Sequence, residues 1–268
     1  AKKAMKQASV ISSDIDAVIV GSSHSARNYP AVAIEIQKEL AIDGYAYDML
    51  VGCSSTTFAI NNAFSDIASG LAETILVINP EISTPAVNFT HRDKHFIFGD
   101  GCAASIIQKD SSSKKSFRIL DRKLFTQFSN NIRSNYSYLN RAAIDAKDND
   151  DLLFHQYGRG VFKDVCPLVA KLISDQLESN NIDPKDISKF WLHQANGKMI
   201  RLITSKILGT DDFDSTITPM PIINFGNLAS VGSLFAFNLD NDLEAGRKGV
   251  ICSFGAGYSV CSLIVEKT

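Results

Sequence analysis

Apolar and polar positions alternate along this chain in blocks whose period keeps changing between helix and strand. Residues 2–10 read as a helix, followed by the polar loop SSDID and the continuous apolar run AVIVG at 17–21, a strand. Helical spacing returns over residues 31–40. YAYDMLVG at 45–52 predicts a strand entering Cys53, after which Phe58, Ile60, Ala63, Phe64, Ile67 and Ala68 recur on one helix face before Gly70. A strand at 74–79 leads to a paired region, HFIFGDGCAASIIQK, ending at Lys109. Strands alternating with helices predict an α/β layered fold.

The same order then returns. DISKFWLHQ at 186–194 echoes DIDAVIVGS at 14–22, PIINFGN at 221–227 echoes YDMLVGC at 47–53, and VICSFGAGYSVCSLIVEK at 250–267 combines TILVINPE with FGDGCAASIIQK. Ile187 lies 172 positions after Ile15, and Asn227 lies 174 after Cys53. So long a period excludes a solenoid and predicts two similar fused halves, 1–117 and 118–268. The halves are unequal. The long amphipathic helix at 161–181 matches only the short KKAMKQAS start, and the strand at 118–124 has no first-half equivalent. An opening strand and most of a helix are therefore expected to precede residue 1 in a longer biological chain. The acidic stretch at 145–151 reads as a surface loop between the halves.

Composition narrows the function. The 268 residues are 45% hydrophobic with a formal net charge of -2, enough for a large core and without the basic excess that favours nucleic acid or an anionic membrane. No apolar run reaches the ~18 residues of a membrane span, and the start lacks a signal-peptide core; a soluble, cytoplasmic protein is the expectation. Cys53, Cys102, Cys166, Cys252 and Cys261 are odd in number, widely spaced and free of CxxC pairing, which predicts neither a disulfide framework nor a metal site. Four of them stand in apolar text and read as small core residues. Cys53 instead follows Gly52 and introduces Ser54–Ser55–Thr56–Thr57 at the start of a helix, where a thiol can acquire a lowered pKa and act as a nucleophile. A buried structural cysteine is the alternative.

In open α/β sheets the C-terminal strand ends face the ligand crevice. Cys53, Asn227 and His193 each stand at a predicted strand end, and the internal symmetry brings the halves' equivalents toward one another. Cys53 would attack an acyl carbonyl, His193 would accept or share a proton, and Asn227 would donate to a developing oxyanion. The plainer readings are a satisfied semi-buried histidine and a turn-forming asparagine. Gly255 and Gly257 in SFGAG permit close backbone approach, either as an oxyanion-binding N–H or as a tight bend.

Together these texts resemble the thiolase superfamily, and most closely the β-ketoacyl-acyl-carrier-protein synthase III family. GCSS around Cys53, FIFGDGCAAS at 96–105, GRGVFK at 158–163, HQANGKMI at 193–200, NFGNLASVGS at 224–233 and SFGAGYS at 253–259 occur in family order over nearly the whole chain. HQAN followed by GN and SFGAG is the specific signature. SFGAG departs from the GFGPG usual in plant-type polyketide synthases, and the remaining cysteines stand outside thiolase's second-cysteine motif.

The resemblance implies a five-layer α-β-α-β-α fold and a condensing acyltransferase. By it, Cys53 carries an acyl group as a thioester, His193 and Asn227 assist decarboxylation of malonyl bound to acyl-carrier protein, and the backbone at Cys53 and Gly255 holds the thioester oxygen. The substrates would be acyl-CoA and malonyl-acyl-carrier protein, with no permanent cofactor and no metal. Tyr29, before Pro30, matches the aromatic residue that reaches a partner's acyl pocket in a homodimer; Phe254 matches a wall of the decarboxylation site, and Asn196 a neighbour of the pantetheine arm. Lys163 and Lys198 match a basic patch for carrier protein, although the family often has Arg at the latter position. Acyl transfer to oxygen or nitrogen, and a non-catalytic interaction protein of the same fold, are the alternatives.

Overall fold

The computed structural model describes residues 1–90, 96–110, 113, 115–135 and 153–268. The predicted acidic loop at 145–151 lies outside them. In the first half, helix α1 (Lys2–Ala8) precedes β1 (Ala17–Ser22), α2 (Val32–Glu39), β2 (Tyr45–Leu50), α3 (Ser55–Ala68), β3 (Thr74–Glu81) and β4 (Gly101–Gln108). The second half opens with β5 (Phe117–Ser129) and a short β6–β7 pair (Ile132–Arg133 and His155–Gln156), then α4 (Gly158–Ser179), β8 (Ile187–Leu192) and α5 (Gly197–Leu208). It closes with α6 (Ile222–Phe225), α7 (Gly232–Leu239), β9 (Lys248–Gly255) and β10 (Gly257–Lys267).

Two four-stranded sheets form, ordered β2-β1-β3-β4 and β5-β10-β9-β8. Strands β1, β3 and β4 run parallel then antiparallel, and β8, β9 and β10 repeat those directions. Among the described residues the duplication is thus three strands deep, and each four-stranded sheet adds one strand the other lacks. β2 extends the first sheet beyond β1, while β5 extends the second beyond β10. Among the described residues nothing takes the place of β5 beside β4, as the sequence reading predicts.

The mismatch at the other edge corrects that reading. PIINFGN forms no strand; Ile222–Phe225 is the single-turn helix α6, in which Asn224 and Phe225 N–H both bond to Pro221 O at 3.0 Å. Pro221 suits a helix start because its φ is already helical. Gly226, at φ 72°, then turns the chain.

Helix α3 packs on β1 and β3 of one sheet and on β9 and β10 of the other, with α7 beside it against β8 and β9. Helices α1 and α2 cover the outside of the first sheet, and α4 and α5 the outside of the second, giving the five predicted layers. All six residues of β1 are buried because both of its faces are covered, which explains its unbroken apolar text. The central cluster mixes the halves: Ile19, Ala59, Ile75 and Val77 pack with Trp191, Ile251 and Leu263. Trp191 donates Nε1–H to Asp240 O at 2.7 Å and meets Phe117 and Phe237 edge-on. Cys166, Cys252 and Cys261 are buried as expected, but Cys102 is exposed on β4, whose outer edge lacks a covering strand among the described residues.

Candidate active site

Cys53 lies on the bend between β2 and α3, made by Gly52 at φ 52°. The bend is pinned by a buried hydroxyl: Ser55 Oγ accepts from Val51 N–H at 2.8 Å and lies 2.9 and 2.8 Å from the Ser22 and Gly52 carbonyl oxygens. Ser54 Oγ donates to Ser259 O at 2.9 Å, which ties the same bend to β10. The polar run after Cys53 is therefore buried, with Ser54 and Ser55 holding the loop to residues of both halves.

Gly255 packs directly on Cys53. A Cβ there would stand 2.5 Å from Cys53 Cβ and 3.1 Å from Sγ, so no side chain fits. The chain turns just beyond it, and the backbone N–H groups of Ala256 and of Cys53 itself lie near the sulfur and favour its thiolate. The Ser23 hydroxyl lies close enough to help stabilise the thiolate, without forming a well-aligned hydrogen bond. These donors are outweighed. Burial first, and then the charge of Glu81, push the Cys53 thiol up to about 12, although the residue retains partial solvent access. The lowered pKa expected from the helix start does not occur, because desolvation exceeds what a helix terminus supplies.

His193 follows β8 and is only 2% exposed. Its N–H bonds to Cys252 O at 2.8 Å, and its ring stands edge-on to Phe254, centroids 5.2 Å apart. Burial lowers its pKa to about 4, opposed by the nearby Ala229 backbone, so the imidazole is neutral at pH 7. Asn227 is held by its backbone between Ile97 O, which accepts its N–H at 2.6 Å, and Gly99 N–H, which donates to its carbonyl at 3.0 Å. A Cβ on Gly99 would lie 2.3 Å from Phe225 O, and one on Gly226 2.8 Å from Ile97 O. The glycines of FGD and FGN thus let two motifs interlock around Asn227.

Ala229, in the left-handed region at φ 47°, joins the last two site residues. Its N–H donates to Asn227 Oδ1 at 2.9 Å, leaving the amide NH2 as the free end of that side chain, while its backbone lies beside the His193 ring and favours the protonated form. Contacts therefore run from Cys53 through Gly255 and Phe254 to His193, and through Ala229 to Asn227. An open cavity of about 360 Å3 begins beside this chain, lined by Val51, Gly52, Phe128 and Ala256 among others.

The remaining predicted residues lie farther out. Tyr29 is 85% exposed on the loop after β1. Asn196 is exposed and caps α5, its Oδ1 accepting from Lys198 N–H at 2.8 Å. Lys163 on α4 and Lys198 on α5 are both exposed on the outer layer. Sequence reasoning did not find Ser23, Glu81, Ala229, Ser230 or Ala256. Of these only Glu81 left a signal, an acid closing the apolar strand TILVINPE; Ala229 and Ala256 act through the backbone. Among the described residues no group of three or more His, Cys, Asp or Glu side chains is placed to hold a metal, and no helix is long and apolar enough to cross a membrane.

Two duplicated sheets sharing a helical middle layer, with a cysteine at the start of the central helix, define a thiolase-like enzyme. Residues 47–127 match the model of 3-oxoacyl-[acyl-carrier-protein] synthase III and residues 177–267 that of its C-terminal part; the chain belongs to this family of condensing acyltransferases. It is 48% identical over 270 residues to β-ketodecanoyl-[acyl-carrier-protein] synthase of Pseudomonas aeruginosa, covering 100% of this chain and 77% of the relative. Synthase III of Aquifex aeolicus VF5 superposes with a TM-score of 0.85 at 22% identity, over 99% of this chain and 82% of that one. The priming β-ketosynthase of the R1128 polyketide pathway gives 0.86 at 21%, over 99% and 78%.

Proposed function

We propose that the chain extends an octanoyl primer, delivered as acyl-CoA, with malonyl-acyl-carrier protein. Support for the chain length comes from the Pseudomonas aeruginosa relative, whose name specifies a ten-carbon β-keto product, two carbons longer than octanoyl. The observation that carries the chemistry is the packing of Gly255 on Cys53, where only glycine fits and the backbone at Cys53 and Ala256 favours the thiolate.

In this reading Cys53 attacks the primer carbonyl, its proton passes to a base and on to the departing CoA thiol, and an acyl-Cys53 thioester forms. His193 is the neutral imidazole available as that base. The oxyanion sits between the Cys53 and Ala256 N–H groups, Gly255 giving the backbone room to approach. The acyl tail occupies the cavity beside Val51 and Gly52. Malonyl-acyl-carrier protein then enters with no permanent cofactor needed. His193 and the Asn227 NH2 group hydrogen-bond its thioester oxygen, carbon dioxide leaves, and the enolate carbon attacks the acyl-Cys53 carbonyl, expelling Cys53. Phe254 restrains the imidazole edge-on. Asn196 meets the pantetheine arm, Lys163 and Lys198 meet the acidic carrier protein, and exposed Tyr29 serves a partner's acyl pocket in a cytoplasmic homodimer.

Intact mass measurement after mixing with octanoyl-CoA tests the first step: one octanoyl group on the wild type and none on Cys53→Ala. Adding malonyl-acyl-carrier protein should release carbon dioxide and β-ketodecanoyl product. No adduct with any acyl-CoA would refute the mechanism, and an ester or amide product without carbon dioxide would replace condensation by transfer to oxygen or nitrogen.

A further inference from the structure

Glu81 ends β3 in the first half, yet its side chain is bonded to the second. It is 1% exposed. Its Oε1 accepts Ser23 N–H at 2.7 Å, Ser230 N–H at 3.3 Å and the Ser230 hydroxyl. Ser23 stands on the loop whose hydroxyl faces Cys53. Ser230 directly follows Ala229, which holds Asn227 and lies beside the His193 ring. A single carboxyl oxygen is therefore shared by the support of the thiol and the support of the imidazole and amide.

The arrangement is costly as mere packing. Oε2 is buried without a hydrogen-bond partner, and burial raises the Glu81 pKa. The titratable groups its charge acts on are the Cys53 and Cys102 thiols, both pushed up by it. We propose that Glu81 is a positioning residue, which sets the register between the Cys53 loop of one half and the Asn227–His193 turn of the other. Its kinetic consequence rests on the condensation reading above; its structural consequence does not.

Glu81→Gln and Glu81→Ala separate these cases. Gln keeps an acceptor oxygen for Ser23 and Ser230 and removes the charge; Ala removes both. In condensation assays the Gln variant should stay within about threefold of wild-type kcat. The Ala variant should lose about tenfold or more in kcat, with KM for malonyl-acyl-carrier protein within about threefold. An Ala variant with wild-type kcat, a Gln variant as impaired as Ala, or a loss confined to KM would each overturn the proposal. The second arm needs no acyl donor: alkylation by iodoacetamide at pH 9, followed by the mass of the peptide that carries Cys53, because exposed Cys102 also reacts. Removing the opposing charge should speed it about threefold or more in Glu81→Gln, because the thiolate is the reacting form. An unchanged rate overturns the coupling of Glu81 to the Cys53 loop. A wild type that takes no acyl group, combined with faster alkylation of Glu81→Gln, would instead sink condensation and uphold Glu81.

Discussion

Replacing His193 by Gln should flatten the acid limb of the protein's stability profile. The folded imidazole has its pKa lowered from 6.5 to about 4, chiefly by burial. Below pH 6.5 the unfolded chain therefore takes up a proton that the folded chain refuses, so stability falls as pH drops from 6.5 toward 4. At 1.36 kcal/mol per unit, the two units between pH 6.5 and 4.5 correspond to about 2.5 kcal/mol. Urea unfolding of the wild type and His193→Gln near pH 7.5 and 4.5 isolates this quantity. Changes common to both proteins cancel, including that of Glu81, whose raised pKa contributes in the opposite direction. The wild type should lose about 2.5 kcal/mol more than the variant over this interval. Parallel losses, within about 0.5 kcal/mol, would mean that His193 is hydrated or paired in the folded protein and would refute the buried neutral imidazole.

Gly255→Ala places a Cβ 2.5 Å from Cys53 Cβ, a backbone-fixed clash; it should cost about 1–3 kcal/mol in urea unfolding and abolish octanoyl loading. Normal loading would show that the β9–β10 bend is free to shift. Because the Cys53 thiol is pushed up to about 12, its alkylation should climb about tenfold per pH unit from pH 7 to 10, whereas a plateau near pH 7 would reveal a preformed thiolate. Val51→Phe fills the cavity mouth and should shift loading from octanoyl- toward acetyl-CoA; unaltered preference between the two would remove the cavity from the acyl path.

Much of the fold was legible because burial leaves a plain record in this architecture. Strands covered on both faces, such as β1, read as apolar runs, and α3 shows helical spacing along the face it buries. The missing counterpart of β5 was visible as a broken repeat. Asn227 was placed on a strand by analogy with Cys53, but Pro221 and Gly226 impose a single turn, and what holds Asn227 is the interlock with Ile97 and Gly99, far away in sequence. The same limit applies to Cys53. Local text shows a helix start, whereas the thiol's pKa is set by desolvation and by Glu81, reached only through the tertiary fold. Cys102 had the apolar neighbours of a core residue, yet it stands exposed on β4, an edge strand among the described residues.

The shared central cluster carries a consequence for how the chain acquires its structure during synthesis. Ile19, the α3 residues Ala59 and Ala63, and Val77 emerge from the ribosome well before Ile251 and Leu263, the residues they pack against. The face of α3 turned away from the first sheet must wait, oily and uncovered, until β9 and β10 arrive to close over it. Repeated halves here do not mean halves that fold in turn, and aggregation on or near the ribosome is the hazard this architecture runs while its last hairpin is still being made.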